Sequence, residues 1–250
     1  MENLKNRARS RKTVFVTGAT SDIGKETCIR FAEEGWNVLC HYFSSEKKAK
    51  ELKKTIERLG VDCGLIRADL ASKNQLMGLV KRLGKSGIDS AINNAGTYTV
   101  NKHFNKLTLR DITGTFMVNA FAPMMLCAHI FKHMKNRRFG RIVNISSIAA
   151  KYGGSSRSMH YGCSKLALEG VTKTLAKEGA RHNILVNTIR PGVIDTRFHK
   201  KFPKDMKKRV AMIPLQKMGS PKDIADMAYY LGSEKNNFIT NETVTVSGGE

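Results

Sequence analysis

A glycine-marked turn between a predicted strand and a predicted helix is the feature that most restricts the fold of this chain. Thr13-Val-Phe-Val-Thr17 is a short β-branched and aromatic run, Gly18 to Gly24 follow it, and residues 22–34 have a helical pattern. Gly18 permits a tight turn, and Gly24 permits a close approach of backbone or helix. The helix N-terminus after such a turn attracts a pyrophosphate through its free amides and its dipole. The segment therefore predicts a dinucleotide-binding unit, although glycine also favours a plain αβ connection.

Predicted strands and helices alternate along the whole chain. With 250 residues and no Pro- or Ser-rich linker, the chain is expected to form a single domain over residues 1–250. The alternation predicts an α/β fold of the Rossmann type, with a doubly wound, mostly parallel sheet and helices on both faces. Asp22 is predicted to be the N-cap of the first helix, with its carboxylate directed at the helix amides. The strand-like runs lie near residues 13–17, 37–42, 63–68, 88–93, 141–146, 184–189 and 243–246.

Tyr161-Gly-Cys-Ser-Lys165 contains the pair of side chains with the clearest chemistry. Residues four apart share one face of a helix, so the Lys165 ammonium is expected to lie beside the Tyr161 phenol and to favour its ionised form. A phenol has a reference pKa of roughly 10, and a neighbouring cation would bring that pKa closer to the range useful at neutral pH. Ser147 precedes Tyr161 by fourteen residues. An amphipathic helix with an incidental tyrosine is the alternative, because Tyr-x-x-x-Lys recurs by chance.

Further motifs surround these residues in a consistent order. Besides the glycine turn and Tyr161/Lys165, they are Asp69-Leu70, Asn93-Asn-Ala-Gly96, Val118-Asn119 with Pro123, Asn144-Ile-Ser-Ser147, Val186-Asn187, Arg190-Pro-Gly192 and Val246-Ser-Gly-Gly249. With these motifs the chain resembles the short-chain dehydrogenase/reductase family along nearly its whole length, and most nearly its β-ketoacyl-(acyl carrier protein) reductase branch. Asp22, where such loops often have another glycine, departs from the family pattern, as does Ser247, where relatives often have aspartate.

The resemblance implies catalytic roles for four residues. Tyr161 would exchange a proton with the substrate oxygen, and Ser147, rather than Ser146, would hydrogen-bond the substrate carbonyl. Lys165 would lower the Tyr161 pKa and hydrogen-bond the nicotinamide ribose, and Asn119 would hold a water that links Lys165 to solvent. The implied cofactor-binding residues are Gly18, Thr20, Ser21, Ile23, Gly24, Tyr42, Ser44, Ser45, Asp69, Leu70, Asn93, Ala95, Gly96, Tyr161, Lys165, Pro191, Gly192, Ile194 and Thr196.

Each of these sites has a purely structural alternative. Asn119 could satisfy helix backbone, Ser147 could cap a strand end, and Asp69 could form a turn. Asn93 and Asn94 could be loop residues that tolerate unusual backbone angles. The joint arrangement, more than any single residue, favours a function.

The cysteines and the termini restrict the compartment. Five cysteines, an odd number without paired metal-ligand spacing, predict reduced thiols and neither a disulfide framework nor a metal site. Residues 1–12, a basic N-terminal arm, lack the apolar stretch of a secretory signal, and no later segment is expected to be apolar enough to cross a membrane. We therefore expect a cytoplasmic protein without membrane association, although the arm could be a solvated tail or a remnant of targeting. The cysteines are Cys28, Cys40, Cys63, Cys127 and Cys163.

The formal charge of +22 predicts a positive field that attracts an anionic partner. Residues 132–141 contain five basic residues and no acid, and residues 197–209 contain seven basic residues against Asp205. The second run lies within residues 193–215, which by resemblance cover the substrate. A solvated, solubilising surface is the alternative. Nucleic acid is an unlikely partner, because no nucleic-acid-binding motif accompanies the charge.

The expected activity is reduction of a ketone to a secondary alcohol with a nicotinamide cofactor. NADPH is predicted over NADH, because the second strand ends at Tyr42-Phe43 without an acidic residue, and Ser44, Ser45 and the lysines after them could receive a 2′-phosphate. By resemblance, the first substrate is a 3-oxoacyl group on acyl carrier protein or coenzyme A, as in fatty acid biosynthesis, and the protein is a homotetramer. Alternatives are a dehydrogenase of a sugar, steroid or other secondary alcohol, and a non-catalytic cofactor- or nucleic-acid-binding protein. A carrier is expected to dock near Arg138 and Arg181.

Overall fold

A computed structural model describes residues 11–84, 87–198 and 205–250. Most of the predicted N-terminal arm, and residues 199–204 of the predicted substrate-covering segment, lie outside the described residues. Seven strands form one sheet: β1 (Thr13–Val16), β2 (Asn37–Tyr42), β3 (Cys63–Arg67), β4 (Ile88–Asn93), β5 (Gly140–Ile145), β6 (Ile184–Pro191) and β7 (Thr243–Val246).

The sheet has the order β3-β2-β1-β4-β5-β6-β7, and neighbouring strands pair in parallel. The chain order reverses between β1 and β4, which is the topological switch point where α/β sheets open a crevice at their carboxyl ends. The predicted α/β fold of the Rossmann type is confirmed. The helices are α1 (Asp22–Glu33), α2 (Glu46–Glu57), α3 (Lys73–Leu83), α4 (Leu109–Phe116), α5 (Ala122–Arg137), α6 (Ile148–Tyr152), α7 (Met159–Ala180), α8 (Met206–Ala211) and α9 (Pro221–Gly232).

Two hydrophobic layers cover the two faces of the sheet. On one face, Phe31 of α1 and Tyr229 of α9 contact each other edge to face, with ring centroids 5.2 Å apart. On the other face, Leu79 of α3 and Leu126 of α5 pack in a second buried cluster. Because the inner strands are covered on both faces, β5 and β6 are almost continuously buried, as is usual for parallel sheets.

The helices α4 and α5 form one long element with a π-turn, Met117–Phe121, between them. The combined helix Leu109–Arg137 has the length and the apolar composition of a membrane span, contrary to the expectation that no segment would. Its apolar composition has a structural cause in this fold, because Leu126, Ile130 and Met134 are buried against the sheet. The π-turn places Asn119 inside the protein, and such turns often occur at functional sites.

Candidate active site

A cavity of about 1070 Å³ opens over the carboxyl ends of the central strands. Its wall includes the glycine turn after β1, the loop after β4, the start of α6 and part of α7. Asn94 joins the first two of these segments, because its Nδ2 donates to the carbonyl oxygens of Thr17 at 2.9 Å and Gly18 at 3.1 Å. The cavity thus lies at the switch point of the sheet.

Ser147, Tyr161 and Lys165 all lie on the wall of this cavity. Ser147 is the N-cap of α6, where its Oγ accepts the N–H of Ala149 at 3.1 Å. The Ser147 hydroxyl is close enough to the Tyr161 phenol to lower the pKa of that phenol. Lys165 is one helical turn after Tyr161, and its Nζ lies 5.9 Å from the centre of the tyrosine ring. A hydroxyl, a phenol and an amine therefore converge on one point of the cavity.

Burial determines the protonation of this group. The Lys165 side chain is buried, which lowers its pKa to about 8, while the charge of Glu169 opposes the shift. Burial also raises the pKa of Tyr161, and the nearby Ser147 hydroxyl counteracts this rise. The prediction that Lys165 lowers the Tyr161 pKa needs correction for this state, because the Lys165 Nζ donates to the carbonyl oxygen of Ile145 at 2.8 Å. The phenol is accordingly held in its protonated form.

Ser146 has a different environment from its neighbour Ser147. Its Oγ donates to Glu169 Oε1 at 2.8 Å, and Arg190 donates to both oxygens of the same carboxylate, at 2.7 and 2.6 Å. Glu169 is buried, so this ion pair joins α7 to β6 directly behind Lys165. Glu169 belongs to none of the sequence motifs. Its position four residues after Lys165, on the same helix face, was the available signal.

Asn119 connects the loop after β4 to α7. Its Nδ2 donates to the Thr97 carbonyl and to Ser164 Oγ, both at 2.9 Å, and its Oδ1 accepts the Thr97 N–H at 2.7 Å. A Cβ atom at Gly96 would lie 3.1 Å from Lys165 Nζ and 3.6 Å from Asn119 Oδ1. Glycine at this position therefore keeps the space between the amide and the amine open, which is where the expected relay water would bind.

Most of the predicted cofactor-binding residues line the cavity, and three do not. Gly24 packs against the glycine turn instead, since a Cβ atom there would lie 2.3 Å from the Gly18 carbonyl oxygen. The lining residues from the predicted set are Gly18, Thr20, Ser21, Ile23, Ser44, Ser45, Asp69, Leu70, Ala95, Gly96, Tyr161, Lys165, Pro191, Gly192, Ile194 and Thr196.

Tyr42 and Asn93 lie outside the cavity wall, which corrects their predicted role. Both are buried strand residues. The Nδ2 of Asn93 points into the core, where it donates to Asn144 Oδ1 at 2.7 Å. Because side chains alternate between the two faces of a strand, the neighbours His41 and Asn94 line the cavity instead.

Asp22 is not the N-cap of α1, contrary to the prediction. Ser21 is the N-cap, and its Oγ accepts the N–H of Gly24 at 3.1 Å. The Asp22 carboxylate turns away from the helix amides and accepts from the backbone and the guanidinium of Arg197, both at 2.7 Å. A guanidinium satisfies a carboxylate more completely than one amide does, because it offers several charged donors.

Two aromatic rings lie next to the ring of Tyr161. Tyr98 lies edge to face with Tyr161 at a centroid distance of 5.8 Å, and Phe198 lies 6.1 Å from Tyr161. Tyr98 stacks on His160 at 5.4 Å, and its hydroxyl donates to the Arg157 carbonyl at 2.7 Å. Tyr98 and Phe198 belong to none of the sequence motifs, so no sequence signal pointed to them. Together these rings give the substrate side of the cavity an apolar wall.

The cavity fits a dinucleotide. Gly18 has a φ of +65°, and a Cβ atom there would lie 3.0 Å from Ala95 Cα, so only glycine leaves the backbone accessible at the start of α1. The amides at the start of α1 and the cavity volume of about 1070 Å³ then suit a diphosphate with a nucleoside on either side. Among the described residues, no group of three or more His, Cys, Asp or Glu side chains is arranged to hold a metal ion.

Comparisons with known proteins agree with this geometry. The family model described as "Enoyl-(Acyl carrier protein) reductase" matches residues 18–250. The 3-oxoacyl-(acyl-carrier-protein) reductase of Aquifex aeolicus is 32% identical over 95% of this chain and 96% of its own length. A blue fluorescent protein from a metagenomic library, crystallised with NADPH, is 30% identical, with a TM-score of 0.88 over 95% of this chain and 97% of that one. An acetoin dehydrogenase of Salmonella typhimurium is 29% identical, with a TM-score of 0.83 over 95% and 96% of the two chains. The chain belongs to the short-chain dehydrogenase/reductase family.

Proposed function

We propose that this protein is an NADP(H)-dependent oxidoreductase that reduces a ketone to a secondary alcohol. The observation that carries the proposal is that Ser147, Tyr161 and Lys165 lie together on the cavity wall, with Lys165 one helical turn after Tyr161. The family membership supports the reaction class, and the relative crystallised with NADPH supports the cofactor. We also propose that the enzyme acts in the cytoplasm, in keeping with its similarity to the 3-oxoacyl reductases.

Each residue has a distinct part in the proposed mechanism. When bound, the reduced nicotinamide supplies the hydride that reaches the carbonyl carbon. The Ser147 hydroxyl donates a hydrogen bond to the carbonyl oxygen and so stabilises the charge that develops there. Tyr161 then transfers its phenolic proton to that oxygen, which breaks the tyrosine O–H bond and completes the alcohol. The raised pKa keeps the Tyr161 phenol protonated but makes it a weaker acid, so the transfer needs a nearby group that stabilises the tyrosinate.

Lys165 and Asn119 are assigned to binding and to proton return. The Lys165 Nζ donates a hydrogen bond to the Ile145 carbonyl oxygen, and Lys165 lines the cavity. From this position the amine could instead hydrogen-bond a ribose hydroxyl and stabilise the tyrosinate that remains after the proton transfer. The proton would return through a water between the Asn119 amide and Lys165, in the space that Gly96 leaves open. Both assignments rest on the family resemblance together with this proximity.

The substrate class proposed first is a 3-oxoacyl thioester on acyl carrier protein or coenzyme A. The similarity to 3-oxoacyl-(acyl-carrier-protein) reductases supports it. A basic surface near the C-terminus of α5 also supports it, since the Arg138 guanidinium donates to the Arg181 carbonyl at 3.3 Å and both side chains are exposed. A sugar, steroid or other secondary alcohol is the alternative, which the similarity to an acetoin dehydrogenase and the aromatic wall favour.

A homotetramer is proposed as the assembly. Apolar side chains are exposed on the helices that carry Asn119 and Tyr161, among them Phe121, Met124 and Leu166. Contact between copies of the chain would remove this apolar surface from water. Light scattering of the purified protein tests the proposal, which a monomer would contradict.

A substrate panel tests the activity. Oxidation of NADPH is followed by the loss of the nicotinamide absorbance, with acetoacetyl thioesters, small diketones, sugars and steroids as substrates. Oxidation with the thioesters but not with the other ketones supports the first substrate class, and the reverse pattern supports the alternative. Absence of oxidation with every ketone, together with a salt-sensitive mobility shift of DNA or RNA, would favour a non-catalytic binding protein.

A further inference from the structure

An ion pair between Asp22 and Arg197 lies on the wall of the cavity. The Arg197 Nε donates to Asp22 Oδ1 at 2.7 Å, its backbone N–H donates to Asp22 Oδ2 at 2.7 Å, and its Nη2 donates to the Thr20 carbonyl at 3.1 Å. Asp22 and Arg197 both line the cavity. The contact joins the first residue of α1 to the segment that follows β6.

Asp22 creates an electrostatic problem for any diphosphate bound here. The N-terminus of a helix attracts an anion, and a carboxylate in the first turn repels one that comes to the same place. Asp22 stands where the resembling loops often have glycine, which carries no charge. An isolated Asp22 would therefore weaken binding of the cofactor that the rest of the turn is built to hold.

The amides of the turn show where the anion is expected. The Ser21 Oγ accepts a hydrogen bond from the Gly24 N–H, and the Ser21 carbonyl oxygen accepts one from the Lys25 N–H at 2.8 Å. Within the described part of the chain, the amides of Asp22 and Ile23 are left to point at a ligand at the start of α1. Arg197 is bound to a residue of this same turn, so its guanidinium lies at the same end of the helix.

Arg197 has hydrogen-bond donors that its contacts to Asp22 and Thr20 do not use. A guanidinium has five N–H donors, and the contacts to Asp22 and Thr20 use its Nε and Nη2. No contact of its Nη1 is made within residues 11–84, 87–198 and 205–250. About half of the side chain is exposed, at 49%. The guanidinium can therefore hold Asp22 and an anion simultaneously.

We propose that Asp22 positions Arg197 so that its guanidinium binds the diphosphate of the nicotinamide cofactor. Asp22 acts as a positioning residue, and Arg197 is a cofactor-binding residue outside the motifs of the glycine turn. The arginine neutralises the carboxylate and supplies the charge-assisted hydrogen bonds to the phosphate oxygens. This inference rests on the proposed use of a nicotinamide dinucleotide but not on the choice between NADPH and NADH, because the diphosphate is common to both.

A double-mutant cycle on cofactor binding tests the inference. Titration of the purified protein with NADPH, followed by calorimetry, gives Kd for the wild type, Arg197→Ala, Asp22→Gly and the double variant. Arg197→Ala should raise Kd about 10- to 100-fold, because a charge-assisted bond is lost and an unpaired carboxylate is left beside the diphosphate. Asp22→Gly should change Kd only a few-fold, and the double variant should bind more tightly than Arg197→Ala alone. A double variant that binds no more tightly than Arg197→Ala would overturn the inference.

Arg30→Ala is the matched control. Arg30 also lies at α1 and donates through its Nε to an aspartate, Asp226, at 2.8 Å, but it does not line the cavity. Its loss should leave Kd within about twofold of the wild type, and thermal unfolding reports whether each variant is folded. Should Arg197→Ala fail to fold, Arg197→Gln keeps the polar stem and is expected to raise Kd in the same direction. An Arg197 variant that is folded and binds NADPH like Arg30→Ala would show that the arginine does not touch the diphosphate.

A ligand without a diphosphate separates this inference from the proposed function. Adenosine 2′-monophosphate contains the adenosine and the 2′-phosphate of NADPH and lacks both phosphates of the diphosphate bridge. Arg197→Ala should bind NADPH more weakly than the wild type does, but its Kd for this compound should stay within about twofold of the wild-type value. Equal weakening of the binding of both ligands would contradict the diphosphate contact. A wild-type protein that binds neither NADPH nor NADH would overturn the proposed function and this inference together, whereas normal binding by a folded Arg197→Ala variant would overturn the inference alone.

Discussion

The Nδ1 atom of His41 accepts the backbone N–H of Gly18 at 3.2 Å, so the end of β2 holds the glycine turn that follows β1. Since Nδ1 is the acceptor, Nε2 carries the proton and donates to the Ala68 carbonyl at 3.0 Å. His41 is buried, which lowers its pKa to about 4. A neutral imidazole is therefore part of the structure that shapes the cavity.

Acid should destabilise the protein through His41. Its pKa is about 4 in the folded protein and about 6.5 in the unfolded chain, so the unfolded chain binds more protons between these values and stability falls as the pH falls from 6.5 to 4. The shift corresponds to about 3 kcal/mol. Urea unfolding at several pH values should show a shallower loss in His41→Gln than in the wild type. The matched control is His129→Gln, at an exposed position. Identical pH profiles for wild type and His41→Gln would contradict the assignment.

Tyr161→Phe should lower turnover and leave cofactor binding nearly unchanged, because only the transferable proton is removed. General acids typically contribute about 10²–10⁴-fold to a rate. Lys165→Ala should reduce both turnover and cofactor affinity, since Lys165 also lines the cofactor side of the cavity. Single-turnover oxidation of NADPH and a separate binding titration check the two effects. Wild-type turnover in Tyr161→Phe, measured where chemistry limits the rate, would remove Tyr161 from its role.

Glu169→Gln should destabilise the fold by about 3 kcal/mol, because it leaves Arg190 without its buried carboxylate partner. The variant also removes the negative charge that raises the Lys165 pKa, so that pKa should fall further below about 8. Urea unfolding measures the first effect. The pH dependence of turnover measures the second, and a profile that moves toward alkaline pH would show that Glu169 does not act on Lys165.

Ser44→Asp should reduce or reverse the preference for NADPH over NADH. Ser44 lines the cavity just after β2, where an acidic residue would accept from a ribose 2′-hydroxyl and repel a 2′-phosphate. The ratio of kcat/KM for NADPH and NADH is the measurement, and a change of about tenfold or more is expected. Ser72→Asp, at the N-cap of α3 and outside the cavity, is the control. A wild-type enzyme that already uses NADH equally well would show that the choice of NADP(H) is wrong.

Arg138→Glu should weaken use of a carrier-bound substrate and spare a small soluble ketone. Rim charges act mainly on the association rate and on its salt dependence, and Arg138 is exposed beside Arg181. Values of kcat/KM for the two substrates at low and high salt make the comparison. The exposed Arg110→Glu, on α4, controls for net charge. Equal losses on both substrates would indicate a folding defect, and no loss on the carrier-bound substrate would contradict docking at this surface.

The sequence by itself determined the order of the elements and the identity of the reacting groups. The strand runs it predicts coincide with β1 to β7 within a few residues, because short β-branched and apolar runs that alternate with helical segments favour the strands of a covered parallel sheet. Tyr161 and Lys165 were identifiable because a helix imposes their shared face. Ser147 and the glycine turn followed from the family resemblance and from the conformational freedom of glycine.

Only the tertiary structure decided which of two residues adjacent in the sequence faces the cavity. It also decided which charged side chains form ion pairs. Tyr42 and Asn93 are buried while His41 and Asn94 line the cavity, because strand alternation follows from how each strand sits in the sheet. Asp22 meets Arg197 across 175 residues of chain, and Arg190 meets Glu169 across 21. Local secondary-structure propensity cannot predict such contacts, because they form only when β1, β6 and α7 pack together. The protonation of Lys165 and Tyr161 also depends on burial, which is a property of the folded protein.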